Sequence, residues 1–397
     1  MATILMSTQG THGDVLPFVR LGGALRQAGH EVTLFTHAPF GDRVARAGLE
    51  FVAVDTVAGY ERHMADTTAL IGARELSWSQ LFRRHGLFEQ LAWEVRQMAD
   101  RHRPGDTVLV GRHTSTFSVR FAAELLGAPS AWVALSPSQL MLVGMAVHSC
   151  RTQLAPGMDA VRRELGLAPV TDWRSWFKEV DLELGLWPEW FDEAGPRTPR
   201  RVVRTGFVVP DEDPGDGLPA GAEALLAGRP VLLTGGTSRM QDRRFYEAAV
   251  EGCAGRPVML VARHADLLPD PLPDGMTWFP RLPFRDVVPR VAALVHHGGI
   301  GTLTRALAAG VPQVMLADTV DRPDNAARLS RLGLATWLPS SSWNRDEISA
   351  AVAEAADDTG YGERSRKIIG ALDPAAGLAE ACARIELLLE PATGLPA

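Results

Sequence analysis

The stretch Ala292-Ala293-Leu294-Val295-His296-His297-Gly298-Gly299-Ile300-Gly301-Thr302-Leu303-Thr304 decides how the chain is read. An apolar run ends in a glycine-rich turn, and an amphipathic stretch continues to Ala309. That is the order strand, tight turn, helix. Glycines let the backbone approach a ligand, and the first N–H groups of a helix lack partners within it and carry partial positive charge. A diphosphate is the natural guest of such a turn. The ring of His297 can donate to a phosphate oxygen, and so can the hydroxyl of Thr302. Glycines alone would make only a turn; the paired histidines before them favour a binding site.

The same grammar extends outward from this stretch. Residues 3–6 read as a strand, 10–13 as a turn, 14–28 as a helix stopped by Gly29, and 31–36 as a second strand. Residues 108–111 and 130–135 look like further strands around a helix at 118–126. Later strands are expected at 230–234, 257–262, 292–296 and 313–317, with helical segments between them. Parallel strands joined by helical crossovers make two doubly wound, Rossmann-like α/β domains. Between them, residues 206–222 (GFVVPDEDPGDGLPAGA) are rich in Pro, Gly and Asp and read as a linker. Ligands of such sheets bind at the carboxyl ends of the strands, so a cleft between the two domains is the expected site.

Composition narrows the class. A chain of 397 residues with 46% hydrophobic content suits two α/β cores. Ten tryptophans are mostly packing, although some large aromatics line ligand clefts. A net charge of −7 carries no nucleic-acid footprint. Cys150, Cys253 and Cys382 form no CxxC pair, which argues against a zinc ribbon and a disulfide framework. The opening residues have no basic region of the signal-peptide kind, and no apolar run reaches membrane-spanning length. A cytoplasmic protein is expected.

At this point a family resemblance comes into view. His296-His297-Gly298-Gly299-Ile300-Gly301-Thr302, then 306–313 (ALAAGVPQ) and 324–329 (DNAARL), resemble the donor signature of family 1 glycosyltransferases. The bacterial branch is most similar, with the antibiotic and natural-product glycosyltransferases and rhamnolipid-type rhamnosyltransferases. The likeness includes 10–18 (GTHGDVLPF), 187–191 (WPEWF) and 233–238 (LTGGTS). It implies the GT-B fold, two Rossmann-like domains facing each other across a cleft. It further implies an N-terminal acceptor domain at 1–205, a linker at 206–226 and a nucleotide-sugar domain at 227–375. Residues 376–397 would cross back to the first domain.

Carried over residue by residue, the resemblance implies that His297, Gly299, Gly301 and Thr302 hold the diphosphate. Gly236, Thr237 and Ser238 would close over the donor. Arg281 and Leu282 would meet base and ribose, with the Leu282 backbone on the pyrimidine edge and Trp278 either stacking nearby or packed in the core. Family members usually read Asp-Gln where a loop grips the sugar hydroxyls; here Asp321-Arg322 stands there. Asp321 still accepts from hydroxyls, whereas Arg322 brings a permanent charge and a rigid donor fork, pointing to a different sugar unless it faces solvent.

The implied reaction is inverting transfer of a sugar from a UDP- or dTDP-sugar to a hydroxyl of a small, largely apolar acceptor. It needs no cofactor or metal, because a helix dipole and His297 can meet the leaving charge. The base is Asp14 by position in the family pattern, with Pro17 three residues on; His12 suits the role better by its ordinary pKa. Asp14 also has a bland reading as a helix cap. Plant-type members orient a catalytic histidine with a second acid, and 110–113 (VGRH) offers none, which fits an aspartate base. His113 is expected near the acceptor. Apolar acceptor loops are expected at 56–91, with Tyr60, His63, Trp78, Phe82 and Phe88, and at 139–148. The enzyme would act as a monomer or homodimer, with neither membrane span nor nucleic acid as partner. Two alternatives share the fold: a nucleotide-sugar 2-epimerase, which would carry an acidic cluster in the cleft, and a non-catalytic donor-binding partner. A dehydrogenase would need GxGxxG where this chain has GTHGD.

Overall fold

The computed structural model describes residues 1–72, 77–209, 217–237, 243–370 and 372–390. Two parallel sheets organise it. The first contains β1 (Thr3–Ser7), β2 (Glu31–Thr36), β3 (Glu50–Ala53), β4 (Thr107–Arg112), β5 (Ser130–Ala134), β6 (Leu182–Gly185) and β7 (Val203–Arg204). The second contains β8 (Val231–Thr234), β9 (Val258–Val261), β10 (Met276–Phe279), β11 (Ala293–His296), β12 (Gln313–Leu316) and β13 (Thr336–Leu338). Their orders are β3-β2-β1-β4-β5-β6-β7 and β10-β9-β8-β11-β12-β13. Each order reverses once, at β1/β4 and at β8/β11. The fold is the doubly wound pair expected for GT-B.

The central strands are almost wholly buried and mainly apolar because helices cover both faces of a parallel sheet. Alternation then sends neighbours to opposite cores. Ile4 and Met6 of β1 enter one cluster and Leu5 enters another; Val231 and Leu233 of β8 separate from Leu232 in the same way. The strands expected from apolar runs lie where expected to within a residue or so. The outer strands β3, β6, β7, β10 and β13 were not anticipated. β3 and β13 are only half-buried, and β10 shows two exposed positions; an edge strand has no continuous apolar run to read.

The chain divides into two compact units. One is Met1–Pro188, Thr198–Val208 and Ala375–Ala397; the other is Glu189–Arg197 and Val209–Pro374. The tail helix Pro374–Glu386 buries Leu378, Ala381, Cys382 and Ile385 in the first unit's core, where His30 also meets Glu386 at 2.9 Å. Two boundaries differ from those read in the sequence. The expected linker 206–226 contains the helix Ala222–Ala227, whose Ala222 and Leu226 are buried in the second unit. Residues 189–197, expected in the first domain, belong to the second.

Arg328 explains the latter. Its fully buried guanidinium pairs with Asp324 at 2.8 Å and donates to the carbonyls of Phe191 (3.0 Å), Asp192 (2.7 Å) and Pro196 (2.8 Å). Arg331 adds the carbonyl of Ala194 at 2.9 Å. The 189–197 strip is therefore fastened to the helix Arg322–Arg331. Removing the guanidinium would strand three carbonyls and an aspartate. Arg328→Ala is expected to destabilise the second unit by about 3–5 kcal/mol, read by urea unfolding, with faster proteolysis inside 189–197. Unchanged stability and an uncut strip would show that the clamp carries no weight.

Candidate functional site

In the second unit, registry brings the site together. Thr234 at the end of β8 lies beside His296 at the end of β11, so the loops leaving the two strands meet. His296 is fully buried. Its Nδ1 accepts from the Gly298 N–H at 3.1 Å and its Nε2 faces Gln313 Oε1 at 3.0 Å. That assignment makes His296 a neutral brace for the glycine turn, and burial holds its pKa down at about 4. His297 lies in the turn itself. Burial first, then the charge of Arg322 and the neighbouring His296, hold its pKa well below the usual histidine range. Its Nδ1 is buried without a hydrogen-bond partner.

Side chains are excluded around that ring. A Cβ on Gly236 would come within 2.7 Å of the His297 ring, and one on Gly299 within 2.6 Å. Gly298 has φ +87°, which a side chain rarely adopts. Gly301 is different: a Cβ there would meet nothing within 4 Å. No packing in the protein requires that glycine, and the space beside it is open. The helix Ile300–Ala309 starts here with Gly299 as N-cap, presenting the unpaired N–H groups of its first turn. Thr302 lies in that turn, half-buried.

The loop after β12 carries Asp321 and Arg322. Arg322 is 7% exposed, so it does not face solvent. Its charge is felt at His297 and at Tyr246, whose phenol is pushed up to about 12 by burial. Asn325, quoted in the sequence motif without a role, ties this loop to the turn by donating to the Gly298 carbonyl (3.1 Å) and to Asp321 Oδ2 (3.2 Å). Thr237 is exposed beside half-buried Gly236, while Ser238 lies outside the described residues. Leu282 is buried and Arg281 exposed. Trp278 is not a core residue: it is 38% exposed, with its indole N–H given to the Ala262 carbonyl at 2.9 Å.

In the first unit, registry pairs Ser7 of β1 with Gly111 of β4. The helix His12–Gln27 begins after β1 with Thr11 as N-cap, so Asp14 is not the cap but the third helical residue. Its Oδ2 accepts from the Thr11 N–H (2.7 Å) and hydroxyl (3.0 Å), the return half of a capping box. Its Oδ1 accepts from Arg112 Nη1 at 2.9 Å. The stretch without an acid therefore supplies a cation that holds Asp14. Sequence reading missed this pair, although the signal was present: an arginine where a carboxylate was sought. His12 packs its ring edge-on against Phe40, centroids 4.9 Å apart.

A second dyad supports the loop. His37 Nδ1 lies 2.7 Å from Asp55 Oδ2, and His37 Nε2 accepts from the Gly10 N–H at 2.9 Å. Other expectations need correction. His113 is fully buried between Glu183 and Trp132 and lines nothing. Phe82 and Phe88 pack on the core, and Tyr60 packs against Phe40 and His37, so these aromatics form no shared apolar pocket. Met141, Leu142 and Met145 of the second expected loop are exposed.

Among the described residues no group of three or more His, Cys, Asp or Glu side chains is placed to hold a metal ion, and no helix is long and apolar enough to cross a membrane. Comparison with known proteins gives two family matches. Residues 4–99 match the glycosyltransferase family 28 N-terminal domain, and residues 257–377 match the erythromycin biosynthesis protein CIII-like C-terminal domain. The chain is 28% identical to O-mycaminosyltylonolide 6-deoxyallosyltransferase of Streptomyces fradiae, over 98% of each chain. Its fold is similar to the glycotransferase of kitacinnamycin (TM-score 0.72, 23% identity, 98% and 99% of the two chains). It is also similar to the glycosyltransferase VinC in complex with dTDP (TM-score 0.66, 20% identity, 98% and 99%).

The buried histidines make stability depend on pH. The folded pKa of His296 lies below the unfolded value of about 6.5, so the unfolded chain binds the extra proton and stability falls as pH drops through 6.5 toward 4. Between pH 7 and pH 5 this one group is expected to cost about 2 kcal/mol. His296→Asn, lacking the titration, should lose correspondingly less over the same interval in urea unfolding. Equal losses in the two proteins would show that His296 titrates normally.

Proposed function

The chain belongs to the GT-B glycosyltransferases of natural-product type, and from that premise we propose that it transfers a sugar from a UDP- or dTDP-linked donor to an acceptor hydroxyl, inverting the anomeric centre. The observation that carries the donor half is the turn around His297: a neutral ring with an unpartnered, buried Nδ1 beside a helix N-terminus whose first residues, Gly299 and Gly301, leave open space at 301. The diphosphate takes the N–H groups of that first turn, with the Thr302 hydroxyl donating as well; His297, whose single N–H in the neutral form goes to the Thr234 carbonyl, donates through Nδ1 once the anion's charge lets the ring take a second proton. Asp321 and Arg322 grip the sugar, and the buried positive charge of Arg322 also answers the charge of the leaving diphosphate. Helix dipole and guanidinium together supply what a metal ion would otherwise provide. Trp278 and Leu282 serve the base. The dTDP bound by VinC supports a pyrimidine nucleotide here.

Asp14 acts as general base. Each carboxylate oxygen offers about two lone-pair sites. Oδ2 uses both on Thr11, whereas Oδ1 has given one to Arg112 and keeps one for the acceptor hydroxyl. The proton passes to Oδ1, the hydroxyl oxygen attacks the anomeric carbon, and the bond to the diphosphate breaks with its electron pair. Cys150, Cys253 and Cys382 are free and buried, which suits a reducing, cytoplasmic setting. The acceptor is a natural product or lipid-like molecule held by the first unit.

Two measurements check this reading. His297→Ala is expected to weaken UDP or dTDP binding by about 1.5–3 kcal/mol, read by calorimetry or by the melting-point rise that a ligand of the folded state produces. Undiminished affinity for both nucleotides would remove the donor assignment. Asp14→Asn should slow turnover by about 10²–10⁴ while nucleotide binding persists, and His12→Ala should do less. Because all three hydrogen bonds on Asp14 come from donors, the asparagine amide must face one of them, so rates are compared at matched folded fraction. A fully active Asp14→Asn beside a dead His12→Ala would make the histidine the base.

A further inference from the structure

Glu94, on the helix Leu87–Arg101, is an acid in the interior of the first unit, 1% exposed. Four donors converge on its carboxylate. Oε1 accepts from Gln9 Nε2 and from Gln90 Nε2, each at 2.8 Å. Oε2 accepts from the hydroxyls of Ser118 (2.6 Å) and Ser7 (3.2 Å). A carboxylate offers about four lone-pair sites, so all of them are used. Burial pushes its pKa up, and the hydrogen bonds from Gln90, Ser118 and Ser7 push it back; the only charge that helps them is that of His37.

The donors come from different parts of the fold. Gln90 belongs to the same helix, one turn earlier, and Ser7 ends β1. Gln9 lies in the loop that leaves β1 toward Asp14. Ser118 lies in the first turn of the helix Phe117–Leu126, which follows β4 and Arg112. One carboxylate therefore ties the segment leaving β1 to the segment leaving β4, and these supply the Asp14–Arg112 pair. Past Gln9 the next two residues are committed in turn. Gly10 gives its N–H to His37, and Thr11 gives its N–H and hydroxyl to Asp14. A shift at Gln9 is passed on to the base.

Burying a carboxylate without a guanidinium or ammonium beside it is costly. A leucine would fill the space without that cost, and a glutamine would accept at one atom only. Acceptance at both oxygens is what lets one side chain hold Gln9 and the two serines at the same time. We propose that Glu94 is a positioning residue for the transfer reaction: by holding Gln9 and Ser118 together it fixes the two segments that bring Asp14 to Arg112. The inference rests on the reading of Asp14 as general base, and it adds the group that keeps the base in place.

The test uses the full chain with carbon-13 in its aspartate side chains, the Asp14 carboxyl signal being identified by its loss in Asp14→Asn. Glu94→Gln keeps the size but turns one acceptor into a donor, and should displace that signal at matched folded fraction. Gln9→Ala, at a half-buried position, cuts the loop contact alone and should displace it too. In the double variant Gln9→Glu with Glu94→Gln, donor and acceptor change places, and the signal should return. Transfer from dTDP-glucose or UDP-glucose is measured with two hydroxyl probes, cyclohexylmethanol and 4-nitrophenol. The phenol is largely ionised at mildly alkaline pH and has little need of a base. Glu94→Gln should lower kcat for the alcohol by about tenfold or more, with the donor KM unchanged and a smaller loss for the phenol. The signal decides alone where neither probe is turned over. An Asp14 signal unmoved in Glu94→Gln and Gln9→Ala, or equal losses with the two probes, overturns the proposal. The base reading fails separately. A displaced Asp14 signal in Glu94→Gln, with Asp14→Asn fully active on the alcohol, would remove Asp14 as base and leave Glu94 its hold on the pair.

Discussion

A parallel sheet whose strand order reverses leaves a crevice at the reversal, because the loops from the two adjoining strands depart to opposite sides. This chain meets that constraint twice, and both candidate sites sit on it. At β1/β4 the adjoining strand ends hold Asp14 and Arg112, joined at 2.9 Å though they are 98 residues apart in the chain. At β8/β11 they hold Gly236 and the His297 turn, where two glycines give the imidazole its room. Neither contact can form unless the strands register as they do, Ser7 with Gly111 and Thr234 with His296. The apolar runs that fill the two cores are thus what places the polar chemistry.

The two crevices have opposite electrostatic characters. Around His297, the buried Arg322 and a helix N-terminus accumulate positive potential, and the imidazole stays neutral first because it is buried and then because Arg322 is close by. An anionic ligand would relieve that arrangement. Around Asp14 a carboxylate is already met by a guanidinium and two donors from Thr11. It is a held acid with one lone pair to spare, suited to receiving a proton from a neutral hydroxyl rather than to binding an ion.

Much of this was legible in the sequence, and the remainder was not for physical reasons. Strands buried on both faces read as apolar runs, so β1, β2, β4, β5, β8, β9, β11 and β12 could be placed. The turn at 298–301 could be placed too, since glycine clustering before a helix is a local signal. Outer strands such as β13, half-buried at each position, resemble loops in composition. Pairings across the fold leave no local trace. Nothing near residue 191 announces Arg328, and nothing near Asp14 announces Arg112. Aromatic residues in 56–91 carry no local sign of whether they face a ligand or the core. In the fold Phe82 and Phe88 serve the core.

Of the three non-glycine residues with positive φ among the described residues, Arg229 lies before β8 and the other two lie beside the sites. Thr114 (φ 61°) and Val320 (φ 59°) are β-branched residues in the left-handed region, where a side chain of that shape is a true outlier. Thr114 follows Arg112 and His113 directly, and Val320 precedes Asp321 and Arg322. Each outlier costs on the order of 1–3 kcal/mol and persists only if its surroundings over-determine it. The surroundings here do. His113 is anchored through its N–H to the Val133 carbonyl at 2.9 Å, and the Thr114 hydroxyl closes on the His113 carbonyl at 2.7 Å. After Val320, Arg322 is buried and Asn325 binds both Asp321 and the glycine turn. A glycine would remove the strain at either position, but it would also give the loop other conformations in which Arg112 or Arg322 points elsewhere. The strained residue keeps the guanidinium on target, and in each unit that guanidinium is the group sequence reading found hardest to place.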